Sequence, residues 1–518
     1  MPAPPTSPAP PWWRARPILA VALLLVAAPF AWPEIPAFTD NPGHMGRYRI
    51  ALDLATSEHL RRFYSFEWML IPNLGADLLV VPLAWLMGIE AATKAIVMAT
   101  ASLTLLGFLW VAREAHGEIP PTWLFAAPLI LGYPFMSGFA NFTLAIALAF
   151  LALGLWMRLA RTGHIRLRAA LFVPIALAIW LAHAIAWGMF GLLAFAAEFA
   201  RQTARGRRLP AAASAAALHC LPLAAPLVPT LLWRGSGGTS YTGDWFNIAW
   251  KIVSLAGALR DEWALFDRLG VLVLLGVIVL CLASRRLAAD RGLAIGAALL
   301  FLAFLLLPRI MFSSARTDIR LVPYALAAAL LAIRIVPSAP LPGPTTAPSP
   351  RFAALFALTG LAFLIARIAG HTASQWHHDA IYRTELAALD HVPRGARLAS
   401  FVGAGCDQSW ALPRLDHLPA IATVRREAFS NEQWVVSGAQ SLRVLPPYEA
   451  YVDPSQFVTE QRCNRDWRPI ADALQALPRA HFDHVWLIRP PPYNPALVAG
   501  WIPLWRHGTS VLYALPPP

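Results

Sequence analysis

The stretch FANFTLAIALAFLALGLWM, residues 139–157, contains no charged side chain. A helix of about 20 such residues spans the roughly 30 Å hydrocarbon core of a bilayer. Comparable apolar runs recur along the chain, at residues 17–36, 68–88, 94–112, 171–199, 211–232, 269–283, 293–308, 320–336 and 352–369. These runs predict a protein whose chain crosses a membrane many times.

Composition supports the membrane class and argues against nucleic-acid binding. The 518 residues are 57% hydrophobic and 14% charged, whereas soluble domains carry about 25% charged residues. The net charge is +13, but residues 371–518 contain 13 arginines and 13 acidic residues. The excess positive charge therefore belongs to the membrane part, where it fits basic loops and contact with anionic membrane lipids.

Arginine-rich loops set the expected orientation, because such loops stay on the cytoplasmic side of a membrane. Residues 158–168, 201–208 and 285–291 form three of them, and the N-terminal tail, residues 1–16, also carries two arginines. All of these basic segments can lie on the cytoplasmic side only if two apolar segments do not make a simple single crossing. We therefore expect residues 171–199 to form two short helices that turn back near His183, and residues 120–139 to form only a half-helix.

The resulting fold class is mainly α. We expect a polytopic membrane bundle at residues 17–370, with about eleven spanning helices plus half-helices. A proline-rich linker, residues 337–350, is expected in the cytoplasm. The parts facing outward would be residues 37–67, 233–268 and 309–319, together with the C-terminal domain.

Residues 371–518 are predicted to form a small extracytoplasmic α/β domain. Short runs of β-forming residues, Leu398–Val402, His484–Ile488 and Ser510–Ala514, alternate with helical stretches. The domain has no glycine-rich phosphate loop, which favours a lid or acceptor-binding role over independent catalysis. Cys406 and Cys463 could form a disulfide bond or remain free thiols.

The first outward loop combines an acidic residue with cations. It runs from Thr39 to Arg49 and reads TDNPGHMGRYR. Asp40 could act as a general base toward a hydroxyl group, and the cations could bind a phosphate. A solvated loop in contact with lipid headgroups is the alternative. The binding candidates in this loop are His44, Arg47 and Arg49.

Two further polar positions follow in the chain. Asn73 and Asp77 lie one helical turn apart in an apolar run, where a polar side chain faces a cavity or a partner. Glu114 and His116 end the predicted third helix, and with Asp40 they could ligate a divalent cation such as Mg or Mn. An ordinary charged helix end is the alternative for Glu114 and His116.

A late outward loop contains Arg309, Arg316 and Arg320. Positive charge is disfavoured on the outer face, so an anionic partner is expected, and the guanidinium fork matches phosphate oxygens. A surface network with Asp318 is the alternative. His183 could point into the same cavity or could be a buried structural histidine.

This pattern resembles the GT-C superfamily of polytopic glycosyltransferases, which use polyprenyl-phosphate-linked sugars. The shared features are Asp40 soon after the first helix, short helices among the spans, Glu114 and His116, the late arginine loop and the C-terminal domain. The run from Asp40 to Arg47 resembles the opening Asp-x-Pro-x-His-x-x-Arg of some bacterial members. Asn41 departs from the paired acidic residues of better-known members.

The resemblance implies inverting transfer of a sugar from a polyprenyl-phosphate donor to an extracytoplasmic acceptor, with Asp40 as base and arginines on the departing phosphate. It also implies a multi-pass protein of the bacterial inner membrane, with a periplasmic domain. A transporter or flippase of lipid-linked saccharide is the alternative from another class. A non-catalytic protein of envelope polysaccharide assembly is a third possibility.

Overall fold

The computed structural model describes residues 11–234, 241–311, 314–336, 350–407, 409–435, 440–451, 456–463 and 467–516. The interior of the predicted cytoplasmic linker, residues 337–349, and the start of the predicted N-terminal tail, residues 1–10, lie outside the described residues.

The part before residue 387 is helical. Its helices are α1 (Arg16–Leu25), α2 (Asn41–Asp53), α3 (Glu58–Arg61), α4 (Gly75–Met87), α5 (Ile89–His116), α6 (Trp123–Ala126), α7 (Tyr133–Met136), α8 (Ala140–Arg161), α9 (Ile165–Ala182), α10 (Ala184–Ala204), α11 (Leu209–His219), α12 (Leu227–Arg234), α13 (Ile248–Ala256), α14 (Ala264–Ala283), α15 (Arg291–Leu306), α16 (Val322–Ala332) and α17 (Pro350–Leu386). Three short strands lie between them, β1 (Tyr64–Phe66), β2 (Leu287–Ala289) and β3 (Ile333–Ile335).

Within the described ranges, six helices are long and apolar enough to cross a membrane: α5, α8, α9, α10, α14 and α17. The helices on either side of Cys220 are bent by 54° and together could make a seventh span. The predicted mainly α, multi-pass membrane fold is confirmed. We call the end of the bundle that carries the C-terminal domain the domain face, and the end that carries Arg161, Arg201, Arg291 and Arg334 the arginine face.

Helix α5 runs between the two faces. Glu90, at its start, pairs with Arg425 of the C-terminal domain at 2.8 Å. Glu114, near its end, pairs with Arg161 at 2.7 Å. Its 28 residues span about 40 Å, so Glu90 and Glu114 lie on opposite sides of the bundle.

Helix α4 does not cross the membrane. Asp77 in its first turn pairs with Arg47 of α2, and Trp85 at its other end borders a cavity that Arg425 also lines. Both ends therefore lie at the domain face. Its 13 residues reach only about 20 Å, and Trp85 and Leu86 are 88% and 79% exposed. The predicted span at residues 68–88 is wrong.

The segment that follows α5 crosses the bundle instead. Thr122 donates to the carbonyl of Ile333 at the arginine face, and the carbonyl of Ser137 accepts from the amide of Asp40 at the domain face. Between them α6, a 3₁₀ turn (Ala127–Leu131) and α7 form a broken crossing, in which Pro128 and Pro134 interrupt regular helix. The predicted half-helix at residues 120–139 is therefore a crossing.

The predicted turn at His183 is confirmed. Helices α9 and α10 meet at this residue, whose ring accepts a hydrogen bond from the amide of Ile185 at 3.2 Å. The two helices are 18 and 21 residues long, so they are full spans where short helices were expected. His183 consequently lies at the domain face.

Helix α17 passes through the predicted domain boundary at residue 370 and leads directly into the C-terminal domain. The domain contains β4 (Arg397–Gly403), α18 (Ile421–Arg426), β5 (Phe429–Ser430), β6 (Leu442–Val444), β7 (Phe457–Thr459), β8 (Arg468–Pro469), α19 (Ile470–Gln475), β9 (His484–Ile488), β10 (Ile502–His507) and β11 (Ser510–Ala514). The three predicted strands are β4, β9 and β11.

One mixed sheet forms the centre of this domain, with strand order β10-β11-β9-β4-β7-β8 and β5 beside β4. Strand β4 is parallel to β5, β7 and β9. Strand β11 is antiparallel to both of its neighbours, β9 and β10. Cys406 and Cys463 form a disulfide bond between the loops that follow β4 and β7. The predicted α/β domain is confirmed.

A buried arginine joins the domain to the membrane helices. Arg414 donates to the carboxylate of Asp261, to the carbonyl of Ala37, and at 3.3 Å to the carbonyl of Met136. His371 of α17 contacts the other oxygen of Asp261 at 2.9 Å. Arg414 and Asp261 are each only 2% exposed, so both charges depend on these partners.

Replacing this arginine should loosen the domain. We expect Arg414→Gln to lower the free energy of unfolding by about 3–5 kcal/mol, because it leaves the buried carboxylate of Asp261 without its main cation. Thermal unfolding and limited proteolysis of the purified protein in detergent would measure the change. Arg462→Gln, which removes an exposed pair with Asp472, should cost less than about 1 kcal/mol. Equal effects of the two variants would contradict the anchoring role.

Candidate active site

Asp40 precedes the first turn of α2, at the boundary between the bundle and the domain. Its amide donates to the carbonyl of Ser137 at 3.0 Å. Gly138 lies against this turn with φ +85°, and a Cβ there would lie 3.0–3.1 Å from the backbone nitrogens of Asn41 and Asp40. The crossing formed by residues 123–136 therefore fixes Asp40 through a position that suits only glycine.

A cavity of about 150 Å³ opens beside Asp40. His44 follows Asp40 by one helical turn and faces the same cavity, with its ring 5.5 Å from that of Trp434. The other side chains that line the cavity come from distant parts of the chain and include Asn73, Phe139, Asn141, Phe142, His183, Ser314, Arg320 and Gln440.

Arg320 and Arg316 bring positive charge to the carboxyl group of Asp40. Arg320 lies 3.0 Å from a ring nitrogen of His183, donates to Ser314 and stacks over Phe139 at 4.4 Å. Arg316 adopts φ +60° and has no hydrogen-bond partner in the part of the chain that the structure describes. Its guanidinium group is therefore available to a ligand.

The C-terminal domain contributes four residues to the site. His417 lies 4.0 Å from Asp40, 3.6 Å from Asp416 and 2.6 Å from Glu432. Trp434 packs on the ring of His417, with centroids 4.3 Å apart. One imidazole thus faces three carboxyl groups at the junction of the bundle and the C-terminal domain, where it is buried.

Burial changes the proton affinities of this cluster. It raises the pKa of Asp40, and the charges of His417, Arg316 and Arg320 oppose that rise. Burial also raises the pKa of Asp416, to about 7. For His417, burial lowers the pKa, but Asp416 and Glu432 outweigh it and raise the pKa to about 9. His417 is therefore a cation at neutral pH, and Asp416 exchanges its proton in that range.

Three arginines expected to bind a ligand phosphate have partners within the protein. Arg47 donates two hydrogen bonds of 2.9 Å to Asp77. It lies two helical turns after Asp40, at the point where α2 meets the start of α4. Arg49 pairs with Asp53 and with Glu427 of the domain. Neither residue lines the cavity beside Asp40.

Arg309 also has a partner, since it pairs with Asp244 at 3.1 Å and stacks over Trp250.

Asn73 and Asp77, the two polar residues in the apolar run, have partners within the protein. The amide nitrogen of Asn141 donates to the carboxylate of Asp77 and to the carbonyl of Asn73, each at 2.8 Å.

The expectation that Glu114 and His116 share a cavity with Asp40 is wrong. Since α4 does not cross, α5 carries both residues to the arginine face. There Glu114 accepts hydrogen bonds from Arg161, and a ring nitrogen of His116 lies 2.8 Å from the carbonyl of Leu331. Among the described residues, no group of three His, Cys, Asp or Glu side chains is arranged to hold a metal ion.

Sequence reasoning missed His417, Asp416, Glu432 and Trp434. They lie more than 370 residues after Asp40, in a domain without a recognisable motif. The only local indication of a functional site was the adjacent pair of Asp416 and His417. No residue spacing connects it to the first loop, because the approach depends on how the domain packs.

Sequence comparison identifies no relative of this chain: no family model matches it, and no curated protein does. Structure comparison does find neighbours. The crystal structure of ArnT from Cupriavidus metallidurans bound to undecaprenyl phosphate has a TM-score of 0.51 and 13% identity, and the match covers 96% of this chain and 97% of that one. The apo ArnT structure from the same organism has a TM-score of 0.50 and 13% identity, with 96% of both chains covered. This chain therefore shares the fold of ArnT along nearly its whole length.

The protonated His417 should make stability depend on pH. Its pKa is about 9 in the folded protein and about 6.5 in an unfolded chain. Its contribution is therefore complete below pH 6.5 and is lost as the pH rises through 9. We expect the thermal midpoint of the wild type to fall between pH 6.5 and 9, and that of His417→Gln to fall less. Parallel pH curves for the two proteins would contradict a cationic His417.

Proposed function

We propose that this chain is an integral membrane glycosyltransferase that transfers a sugar from a polyprenyl-phosphate-linked donor to an acceptor outside the cytoplasm. The observation that carries the proposal is the partly buried carboxyl group of Asp40, which lines a cavity between the bundle and the domain together with Arg320 and also interacts with the charge of Arg316. The structural likeness to ArnT, solved with undecaprenyl phosphate, supports the lipid class of the donor.

The proposed reaction begins at the acceptor. Its hydroxyl oxygen forms a bond to the anomeric carbon of the donor sugar, and the bond between that carbon and the phosphate oxygen breaks. The electron pair leaves with the polyprenyl phosphate, and Asp40 takes the hydroxyl proton. A base with an elevated pKa suits this step, because it binds the proton more strongly at the moment of transfer.

Arg316 and Arg320 would hold the donor phosphate. Negative charge develops on the leaving oxygen, and a guanidinium group that is fixed beforehand in a partly buried site stabilises that charge without reorganising. Arg320 is fixed by its stacking on Phe139 and by His183. Arg316 has no hydrogen-bond partner among the described residues, so its donors can serve the phosphate directly.

His417 would act as a positioning residue. Burial favours the protonated form of Asp40, and a protonated base cannot accept the hydroxyl proton. The cation of His417, held by Glu432 at 2.6 Å, keeps Asp40 ionised before the reaction. The C-terminal domain would thus act as more than a lid, because it supplies the charge that prepares the base.

The orientation of the chain follows from its arginines. We place the arginine face in the cytoplasm, according to the positive-inside rule, and the domain face with the C-terminal domain in the periplasm. The protein would then belong to the bacterial inner membrane. The acceptor could be an envelope glycan, a lipid or a protein.

Replacement of the base and of the phosphate ligands should have different effects. Asp40→Asn keeps the shape of the site but removes the base, so turnover of a polyprenyl-phosphate sugar should fall about 10²- to 10⁴-fold with donor binding retained. Arg316→Gln should weaken donor binding as well as turnover, because a phosphate contact exists before and during transfer. Release of polyprenyl phosphate and donor binding by the purified protein would measure both effects.

Arg309→Gln is the matched control, because Arg309 lies in the same loop but pairs with Asp244. It should leave turnover near the wild-type rate. His417→Gln should reduce turnover most at low pH, where Asp40 without its cation is protonated, and should shift the lower limb of the pH profile upward. Wild-type turnover in Asp40→Asn would rule out Asp40 as the base, and movement of intact donor across vesicles without cleavage would favour a flippase.

Cysteine labelling can test the corrected crossings. Glu118→Cys, just after α5, and Arg383→Cys, on the exposed side of α17 near the domain, should react with an impermeant thiol reagent from opposite sides of the membrane. The structure separates the two positions because α5 ends at the arginine face. Labelling of both positions from the same side would contradict this path.

A further inference from the structure

A second polar cavity lies at the arginine face, at the opposite end of the bundle from Asp40. It has a volume of about 520 Å³ and lies between the ends of α5, α8 and α10, the start of α15 and strand β3. Four arginines line it, together with three acidic residues: Arg161, Arg201, Arg291, Arg334, Glu114, Glu198 and Asp290. The reaction proposed above uses none of them.

The acidic residues of this cavity already have partners. Glu114 accepts from Arg161, and Glu198 accepts from Arg201 and from the buried Arg168. These pairs use the positive charge of two of the four lining arginines.

Asp290 caps the first turn of α15 by accepting from the amide of Leu293 at 2.9 Å. Arg291 and Arg334 remain exposed, and neither has a hydrogen-bond partner in the described parts of the chain. The cavity therefore has two guanidinium groups available to an anion.

Two buried donors of the wall also lack an acceptor. The indole nitrogen of Trp156 and one terminal nitrogen of Arg201 are buried without a hydrogen-bond partner among the described protein atoms. Trp156 is only 1% exposed, and the guanidinium group of Arg168 stacks on its ring at 3.9 Å. Buried donors of this kind normally have an acceptor, and an oxygen-rich ligand would supply it.

The rest of the wall is apolar. Met157 and Ala160 of α8, and Ala197 and Ala200 of α10, line the same space. The cavity thus combines arginines at the end of the spans with apolar side chains of α8 and α10. This combination suits a ligand with an anionic head and a hydrocarbon body, and basic pockets between spanning helices bind such lipids.

We propose that this cavity binds the phosphate headgroup of an anionic glycerophospholipid. Arg291 and Arg334 would contact the phosphate oxygens, the indole nitrogen of Trp156 would donate to a further lipid oxygen, and the alanine wall would contact the glycerol and the first acyl carbons. A bound lipid would also join β3 to the helix ends around it. Binding here does not depend on the reaction proposed at Asp40.

The test uses purified protein in detergent, with phosphatidylglycerol or phosphatidylcholine added. Native mass spectrometry would count retained lipid, and thermal unfolding would report stabilisation. We expect the wild type to retain phosphatidylglycerol and to be stabilised by it more than by phosphatidylcholine. The combined variant Arg291→Gln and Arg334→Gln should weaken this preference roughly tenfold or more.

The matched control removes two arginines from the same face outside the cavity, as Arg166→Gln with Arg285→Gln, and should keep the preference. Trp156→Phe keeps an aromatic ring but removes the indole donor, so it should reduce lipid retention. Equal losses in both double variants would overturn the proposal in favour of diffuse attraction to a basic surface. Equal stabilisation by inorganic phosphate would also overturn it, because the site would then bind a free anion rather than a lipid.

Discussion

The buried ion pair between Arg414 and Asp261 holds the C-terminal domain against the membrane helices, and the geometry of the candidate site depends on it. Arg414 also donates to the carbonyl of Ala37, which lies three residues before Asp40. His417 lies three residues after Arg414. One guanidinium group therefore fixes both the segment that leads to Asp40 and the turn that carries His417, and the two side chains approach within 4.0 Å.

The partners of this ion pair explain how two buried charges can stabilise the junction. Two isolated buried charges would cost several kcal/mol of desolvation free energy. Here Asp261 has Arg414 and His371 as partners, and Arg414 has two carbonyls besides. Each partner comes from a different segment, so the full set of hydrogen bonds forms only in the docked arrangement. This requirement gives the junction its specificity.

Sequence reasoning identified the membrane class, the α/β domain and the turn at His183 because each has a local signal. Apolar length marks the spans, and short runs of β-forming residues mark the strands. It failed at α4 and at residues 123–136, because apolar character does not report whether a segment lies along or across the membrane. The two errors cancel in the number of crossings, but they place Glu114 and His116 at the opposite end of the bundle from Asp40 instead of beside it.

The candidate site was predictable to a similar extent. Asp40, His44, His183 and Arg320 line one cavity, as expected from loops that share a face. Arg47 does not line this cavity, because it pairs with Asp77 in the first turn of α4, a helix that the sequence pattern predicts to cross the membrane. The contribution of the domain could not be predicted, since strand patterns specify a sheet but not the surface by which it docks.

The charges at the junction are nearly balanced before any ligand binds. Asp40, Asp416 and Glu432 face the cations of His417, Arg316 and Arg320. An entering phosphate adds negative charge to a partly buried site, where Coulomb interactions are weakly screened. Asp416, whose pKa is about 7, is the carboxyl group most ready to compensate by taking up a proton. In the proposed reaction, the domain would therefore supply both the cation that keeps Asp40 ionised and the carboxyl group that takes up a proton when an anion binds.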